Sequence, residues 1–231
     1  MTTIADNLQA VRRRMDAACT AAGRDPAAVQ LLAVSKTFSS DAIEQALHAG
    51  QLQFGENYVQ EAVGKITQLA GAGVVWHCIG PLQSNKTRVV AQHFDWVQSV
   101  DRLKIAQRLD EQRPEAMAPL QICIQVNTDG GPTKAGVAPQ AVAELAHAIT
   151  QLPRLRLRGL MTIPEPAADF EAARELHARA RQLFDALNAQ GLALDTLSMG
   201  MSGDLEAAIH AGSTMVRVGT AVFGGRAPAA A

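Results

Sequence analysis

The chain has 231 residues, 48% of them hydrophobic and 19% charged, and its 21 basic and 22 acidic side chains leave a net charge of -1. That is enough apolar material for a large core and excludes the charged, weakly hydrophobic signature of disorder. The balanced charge offers no basic patch, so no nucleic acid and no anionic membrane surface is expected as a partner.

The first element reads as an amphipathic helix. Ile4, Leu8, Val11, Met15 and Ala18 share one face, and Arg12, Arg13, Arg14 and Asp16 cover the rest. The same segment carries an acid at Asp6 and no apolar run of signal-peptide length, and nothing in the chain nears the roughly 18 apolar residues of a membrane span. Gly23 to Pro26 ends the helix. From there, short apolar runs alternate with amphipathic stretches. Eight runs read as strands: VQLLAVSKT, LQFGENY, VVWHCIG, DWVQSV, LQICIQVN, LRLRGLMTI, DTLSMGM and TMVRVGTAVFG. Residues 39–50, 138–152 and 168–191 are the clearest helices between them. In the last, Phe170, Ala173, Leu176, Ala180, Leu183 and Leu187 form the apolar stripe, and Gly191 closes it.

Such alternation implies parallel strands joined by right-handed crossovers. Eight units in this length fit an α/β fold of one kind, a single (β/α)8 TIM-type barrel with an additional N-terminal helix. An open doubly wound sheet is the alternative, and spacing alone does not separate the two. The lack of a nucleotide-fingerprint glycine loop favours the barrel. The domain is expected to span residues 1–226, with a frayed, low-complexity tail over 227–231. Cys19, Cys78 and Cys123 are odd in number and show no CxxC spacing. They read as reduced thiols of a cytoplasmic protein.

Barrels keep their chemistry at the C-terminal ends of the strands, and polar residues gather there in this chain. Strand one ends in Ser35-Lys36-Thr37 and strand two in Glu56-Asn57-Tyr58; His77 precedes Ile79-Gly80 in strand three. Strand five ends at Asn127, strand six at Met161-Thr162, and strand seven runs into SMGMSGD. Strand eight carries Arg217 and ends at Gly219-Thr220.

Leu32, Val34 and Lys36 share one face of their strand. If that face is the inner one, Lys36 stands at the centre of the mouth over an apolar floor. Desolvation there favours the neutral amine, the form that attacks carbonyls to make a Schiff base. If it is the outer one, Lys36 is a surface lysine. Arg217 shares a face with Met215 and Gly219, and fits either a structural ion pair or contact with an anion or a ring nitrogen.

The segment SMGMSGDLEAAIHAG reads as a strand, a glycine turn and a helix capped by Ser202. Gly219-Thr220 opens a second short helix. Turns after strands seven and eight are where these barrels often bind phosphate, although ordinary helix caps would look the same. Asp204 and Glu206 would oppose an anion there unless they turn outward. The six histidines show no HxH or HExxH spacing, so no metal site is expected. No GxxxxGK[ST] or GxSxG motif is present. His77 alone on an apolar strand fits a core histidine as well as a site residue.

The blocks LLAVSKT, FGENYVQE, WHCIGPLQSNK, SVDRLKIA, GLMTIP and LSMGMSGDLEAAIHAGSTMVRVGTAVFG resemble, in order from about residue 4 to 226, the YggS/PROSC family of pyridoxal 5'-phosphate (PLP) homeostasis proteins. These are single-domain relatives of the alanine racemase barrel. The resemblance implies a fold type III PLP barrel in which Lys36 holds the cofactor as a Schiff base. It further implies phosphate binding by Ser202, Gly219 and Thr220, with Arg217 beside the pyridine nitrogen and Asn57 and His77 lining the ring. Two features depart from the family pattern. Cys78 stands where an aromatic is usual, and the loop TDGGPTKAG lacks the family's glutamate, although Lys134 and Gly136 in it match.

The implied function is storage or delivery of PLP, with PLP-dependent apo-enzymes as recipients and no catalytic residue. An amino-acid racemase is the alternative. It would need a second acid–base group opposite the lysine, which related racemases take as a tyrosine from a further C-terminal domain. Here the chain stops after strand eight, and Tyr58 is its single tyrosine. Arginine keeps its proton, so Arg217 leaves the ring nitrogen unprotonated and a poor electron sink. A sugar-phosphate enzyme with Lys36 as an aldolase-type amine is a third reading.

Overall fold

The computed structural model describes residues 2–130 and 135–225. Lys134 and the tail 227–231 lie outside the described residues. Helix α1 (Ile4–Ala21) opens with a capping box, in which the Thr3 hydroxyl accepts the Asp6 amide and the Asp6 carboxylate accepts the Thr3 amide. Of its expected face, Leu8, Val11, Met15 and Ala18 are buried, with Cys19 added, while Ile4 in the first turn is only half-buried.

The strands then follow as β1 (Gln30–Val34), β2 (Gln53–Glu56), β3 (Val75–Cys78), β4 (Trp96–Val100), β5 (Leu120–Gln125), β6 (Leu155–Met161), β7 (Thr196–Ser198) and β8 (Met215–Val218). Each is followed by a helix: α2 (Ser40–His48), α3 (Val59–Gln68), α4 (Thr87–His93), α5 (Leu103–Gln112), α6 (Val142–Thr150), α7 (Phe170–Ala189), α8 (Leu205–His210) and α9 (Thr220–Phe223). Every strand runs parallel to its neighbour, and β1 pairs with β8, with Leu32 opposite Arg217. The sheet is therefore a closed barrel and not an open one, and α1 packs outside it against α8 and α9.

Strand alternation divides the apolar residues between two cores. Leu31, Ala33, Phe54, Trp76, Val216 and Val218 point outward into the layer beneath the helices. Leu32 and Val34 point inward and pack against Ile79 and Met215, while Trp96, Cys123 and Met161 fill a second part of the lumen. Each fully buried Leu, Ile or Phe contributes about 1.5–3 kcal/mol. The inward phase of Leu32 and Val34 decides where Lys36 stands.

Three local expectations change. The β1 ladder ends at Val34, and Lys36 lies in the turn beyond it. The buried stripe of α7 runs through Ala173, His177, Ala180, Phe184 and Leu187. Leu176 and Leu183 are only half-buried and Phe170 is 42% exposed. The helix is rotated because His177, not Leu176, goes under, where its Nε2 meets the Asp204 carboxylate at 2.8 Å. The cap of α8 is Asp204, not Ser202, which sits in the preceding turn. Among the described residues, no helix is long and apolar enough to cross a membrane.

Candidate functional site

The ends of β1, β2, β3, β7 and β8 surround a cleft of about 330 Å³ at the C-terminal mouth of the barrel. Six of the seven expected residues line it: Lys36, Asn57, Ser202, Arg217, Gly219 and Thr220. Val34 and Ile79 form the apolar part of the wall, with Ile163 and Met201 at the side. The seventh residue, His77, is wholly buried and does not line the cleft.

Two close approaches shape the walls. A Cβ on Gly80 would stand 2.4 Å from the Asn57 carbonyl oxygen, and one on Gly219 3.2 Å from that of Val34. At Gly80 only glycine fits. Asn57 itself brings a buried side-chain oxygen, Oδ1, that has no donor. A buried acceptor left this way costs about 1–3 kcal/mol, which a ligand donor would recover.

Arg217 is 4% exposed and heads a line of hydrogen bonds into the lumen. Its Nη1 donates to Ser198 Oγ (2.7 Å) and its Nη2 to the Thr162 carbonyl (2.7 Å). Since guanidinium only donates, Ser198 accepts and sends its own hydrogen to Gln98 Oε1, 2.7 Å away. The Gln98 amide nitrogen then faces His77 Nδ1 at 2.9 Å. His77 must therefore accept at Nδ1 and carry its proton on Nε2, a tautomer inferred from the network. Burial drives the His77 pKa down to about 3 and that of Arg217 to about 10. At neutral pH the imidazole is uncharged and the guanidinium is not. The His77 ring also stacks on Trp96, with centroids 5.0 Å apart.

On the amine side, Glu56 and Ser35 are fully buried and point outward beneath the mouth. Ser35 Oγ donates to Glu56 Oε1 (2.6 Å), and Lys65 of α3 reaches the same oxygen (2.8 Å). Burial pushes the Glu56 carboxyl pKa up, and its bonds to Lys65 and Ser35 pull it partly back.

The turn after β7 resolves the electrostatic objection raised by Asp204 and Glu206. Asp204 Oδ1 accepts the Met201 amide (2.6 Å) and its other oxygen accepts from His177. These bonds lower its pKa against the opposing effect of burial, so it stays a carboxylate turned into its own turn. Glu206 pairs with Arg14 of α1, and Arg14 Nη2 also donates to the Ser202 carbonyl at 3.1 Å. Both acids are thereby committed to other groups. The amides of Ser202 and Gly203 have no acceptor among the described residues. With the hydroxyls of Ser202 and Thr220 they form a donor set suited to an anion.

A larger cavity of about 570 Å³ adjoins the cleft and shares Ile163, Met201 and Gly203 with it. It holds no amine, and its Asp169 caps α7 through the Ala172 amide. The smaller cleft is the one that Lys36 and Arg217 line.

Sequence reading missed Gln98, Ser198, Glu61 and Lys65, and gave Glu56 and Thr162 no role beyond polar residues at strand ends. The inward phase of Gln98 and Ser198 on otherwise apolar strands was the available signal. Among the described residues, no group of three or more His, Cys, Asp or Glu could hold a metal ion.

Residues 6–227 match the family model described as "Alanine racemase, N-terminal domain". The pyridoxal phosphate homeostasis protein of Pseudomonas aeruginosa is 58% identical over 226 residues, 98% of this chain and 97% of its own. The protein of that name from Escherichia coli is 52% identical over 229 residues, 98% of both chains. Among solved structures, PipY of Synechococcus elongatus with PLP bound is similar at 38% identity and a TM-score of 0.83, covering 96% of this chain and 100% of that one. Alanine racemase of Clostridium difficile shares the fold, with a TM-score of 0.71 at 14% identity over 94% of this chain and 57% of the racemase.

Proposed function

The chain belongs to the alanine racemase N-terminal domain family, together with the pyridoxal phosphate homeostasis proteins, and on that premise we propose that it binds PLP at the barrel mouth and stores or delivers it without turnover of its own. When bound, the cofactor supplies an aldehyde, a phosphate dianion and a pyridine ring. Lys36 is the amine in the lining of the cleft, and in this reading it meets the aldehyde. The hydroxyls of Ser202 and Thr220, with the backbone at Gly203 and Gly219, receive the phosphate. Arg217 donates to the ring nitrogen, and Asn57 offers its unpartnered oxygen at the ring edge. His77 acts from below, through Gln98 and Ser198, and not by contact.

One observation carries the choice of carrier over racemase. Apart from Lys36, the described residues lining the cleft include no carboxylate, imidazole, thiol or phenol that could serve as a base. Two-base racemisation needs a second one. Tyr58, the single tyrosine, is 57% exposed and does not line the cleft. Arg217 retains its proton and so favours an unprotonated ring nitrogen, a weak electron sink. The recipients in this reading are PLP-dependent apo-enzymes of the cytoplasm.

The test mixes PLP-loaded protein with a PLP-dependent apo-enzyme and follows recovered activity, with free PLP at equal concentration as the control. Recovery is expected, as is the absence of alanine racemisation. Racemisation at about 1 s⁻¹ or faster, abolished by Lys36→Ala, would overturn the carrier reading. Borohydride reduction and peptide mapping should label Lys36; label confined to Lys86 or Lys134 would reject the assigned amine. Ser202→Ala and Thr220→Val should each weaken PLP, but not pyridoxal, by roughly 1.5–3 kcal/mol.

A further inference from the structure

The turn that bears Lys36 is held from both sides by one buried ion cluster outside the lumen. Lys65 is 6% exposed, and three oxygens take its ammonium hydrogens: the Ser35 carbonyl (2.9 Å), Glu56 Oε1 (2.8 Å) and Glu61 Oε1 (2.6 Å). Ser35 adds a second link through its hydroxyl to Glu56 (2.6 Å). On the other side of Lys36, the Thr37 amide donates to Glu61 Oε1 at 2.7 Å. The residue before the lysine is thus bound at two atoms and the residue after it at one, all to the same cluster. Thr37 has φ 68°, in the left-handed region that a β-branched side chain rarely adopts. Such a conformation persists where its surroundings over-determine it, and here the Glu61 carboxylate supplies the constraint.

We propose that Glu61 and Lys65 are positioning residues for Lys36, clamping Ser35 and Thr37 so that the amine between them points into the cleft. The proposal rests on the reading that Lys36 is the PLP-binding amine. A buried ion cluster adds little net stability over apolar packing of equal volume; what it adds is a fixed geometry for the chain bonded to it. The clamp touches only the β1–β2 side. The anion donors Ser202 and Thr220 follow β7 and β8, and the chain from Arg217 runs through Ser198 of β7 to Gln98 of β4 and His77 of β3. Among the described residues none of them shares a side-chain hydrogen bond with the clamp. Loss of the clamp should therefore harm the bond to the amine and spare the rest of the site.

That separation defines the experiment. PLP and pyridoxine 5'-phosphate carry the same phosphate and ring, but the second has an alcohol in place of the aldehyde and cannot condense with an amine. Their dissociation constants are measured on the full chain as wild type, Glu61→Ala and Glu61→Gln. The Glu61 side chain is one-third exposed (33%) and Lys65 keeps Glu56, so both variants should fold, which circular dichroism checks. Glu61→Ala is expected to weaken PLP about tenfold and to leave pyridoxine 5'-phosphate within about twofold. Glu61→Gln keeps an acceptor for the Thr37 amide and should recover part of the loss. Equal weakening of both ligands, or no weakening of PLP, would overturn the clamp. Wild-type protein that binds neither ligand would overturn the cofactor reading itself, and the clamp with it.

Discussion

Two buried polar networks flank the cleft, and they are built on opposite plans. Inside the lumen, one permanent charge on Arg217 leads into neutral groups, each donating to the next: Ser198, Gln98, His77. Between the barrel and α3, one ammonium is shared by two carboxylates and a carbonyl. The first network encodes direction, because a group that only donates orders every proton downstream of it. The second carries no such order, since an ammonium presents the same donors all round, but it fixes distances. Protonation states are set on the β8 side and chain geometry on the β1 side.

The largest test of this contrast is Lys65→Met. It strands the Glu56 carboxylate, and urea unfolding should show a loss of about 3–5 kcal/mol. The double variant Glu56→Leu with Lys65→Met should lose markedly less, since both charges go together. A harmless single variant would mean that the outer cluster is not an interdependent ionic unit.

The lumen network should reveal itself through pH. With its pKa held down to about 3 in the fold, His77 takes up no proton while the unfolded chain does so below pH 6.5. Stability should therefore be fully present above pH 6.5 and fall by about 1.4 kcal/mol per pH unit toward pH 3. The lowered pKa of Asp204 adds a further loss only below its ordinary 3.8. In His77→Gln the slope between pH 6.5 and 4 should shrink by that amount; an unchanged slope would mean that His77 titrates freely.

Gln98→Leu should cost about 2 kcal/mol by leaving the Ser198 hydroxyl hydrogen without an acceptor and His77 Nδ1 without a donor. Nitrogen chemical shifts of His77 should then lose the fixed Nε2–H tautomer. A tautomer that persists would show that Gln98 does not set the direction. The smallest effect is expected at the thiols. Burial pushes Cys78 and Cys123 up to about 12, so neither should react with a thiol reagent at pH 8 on the timescale of unfolded controls. Prompt labelling would show that the layers around both networks open.

The sequence made the scaffold of this contrast legible and hid the wiring. Alternating apolar runs marked all eight strands, but the face shared by Leu32, Val34 and Lys36 left two places for the lysine, and only the fold shows that it is the inner one. The turns at Ser202 and Gly219 were visible as glycine-bearing breaks. Lys65, by contrast, looks like any helical lysine four residues after a glutamate, and no local pattern says that α3 turns it under. His177 and Leu176 compete for the same helical stripe, and the choice is made by Asp204, 27 residues away. Ser202 and Asp204 are both acceptable caps, and the backbone starts the helix at Asp204, whose side chain bonds back to the Met201 amide and leaves the helix amides uncapped.

Arg14 turns the extra helix into a strut. By bonding Glu206 and the Ser202 carbonyl together, it ties the first secondary-structure element of the chain to the turn that offers anion donors. Removing that element would expose the apolar faces of α8 and α9 and also loosen the Ser202 carbonyl, whose peptide plane carries the Gly203 amide. A circular permutant opened between Ala22 and Pro26 would carry α1 at its far end. The shape of the Ser202 turn would then depend on whether the new connection lets Arg14 return to within reach of the Ser202 carbonyl.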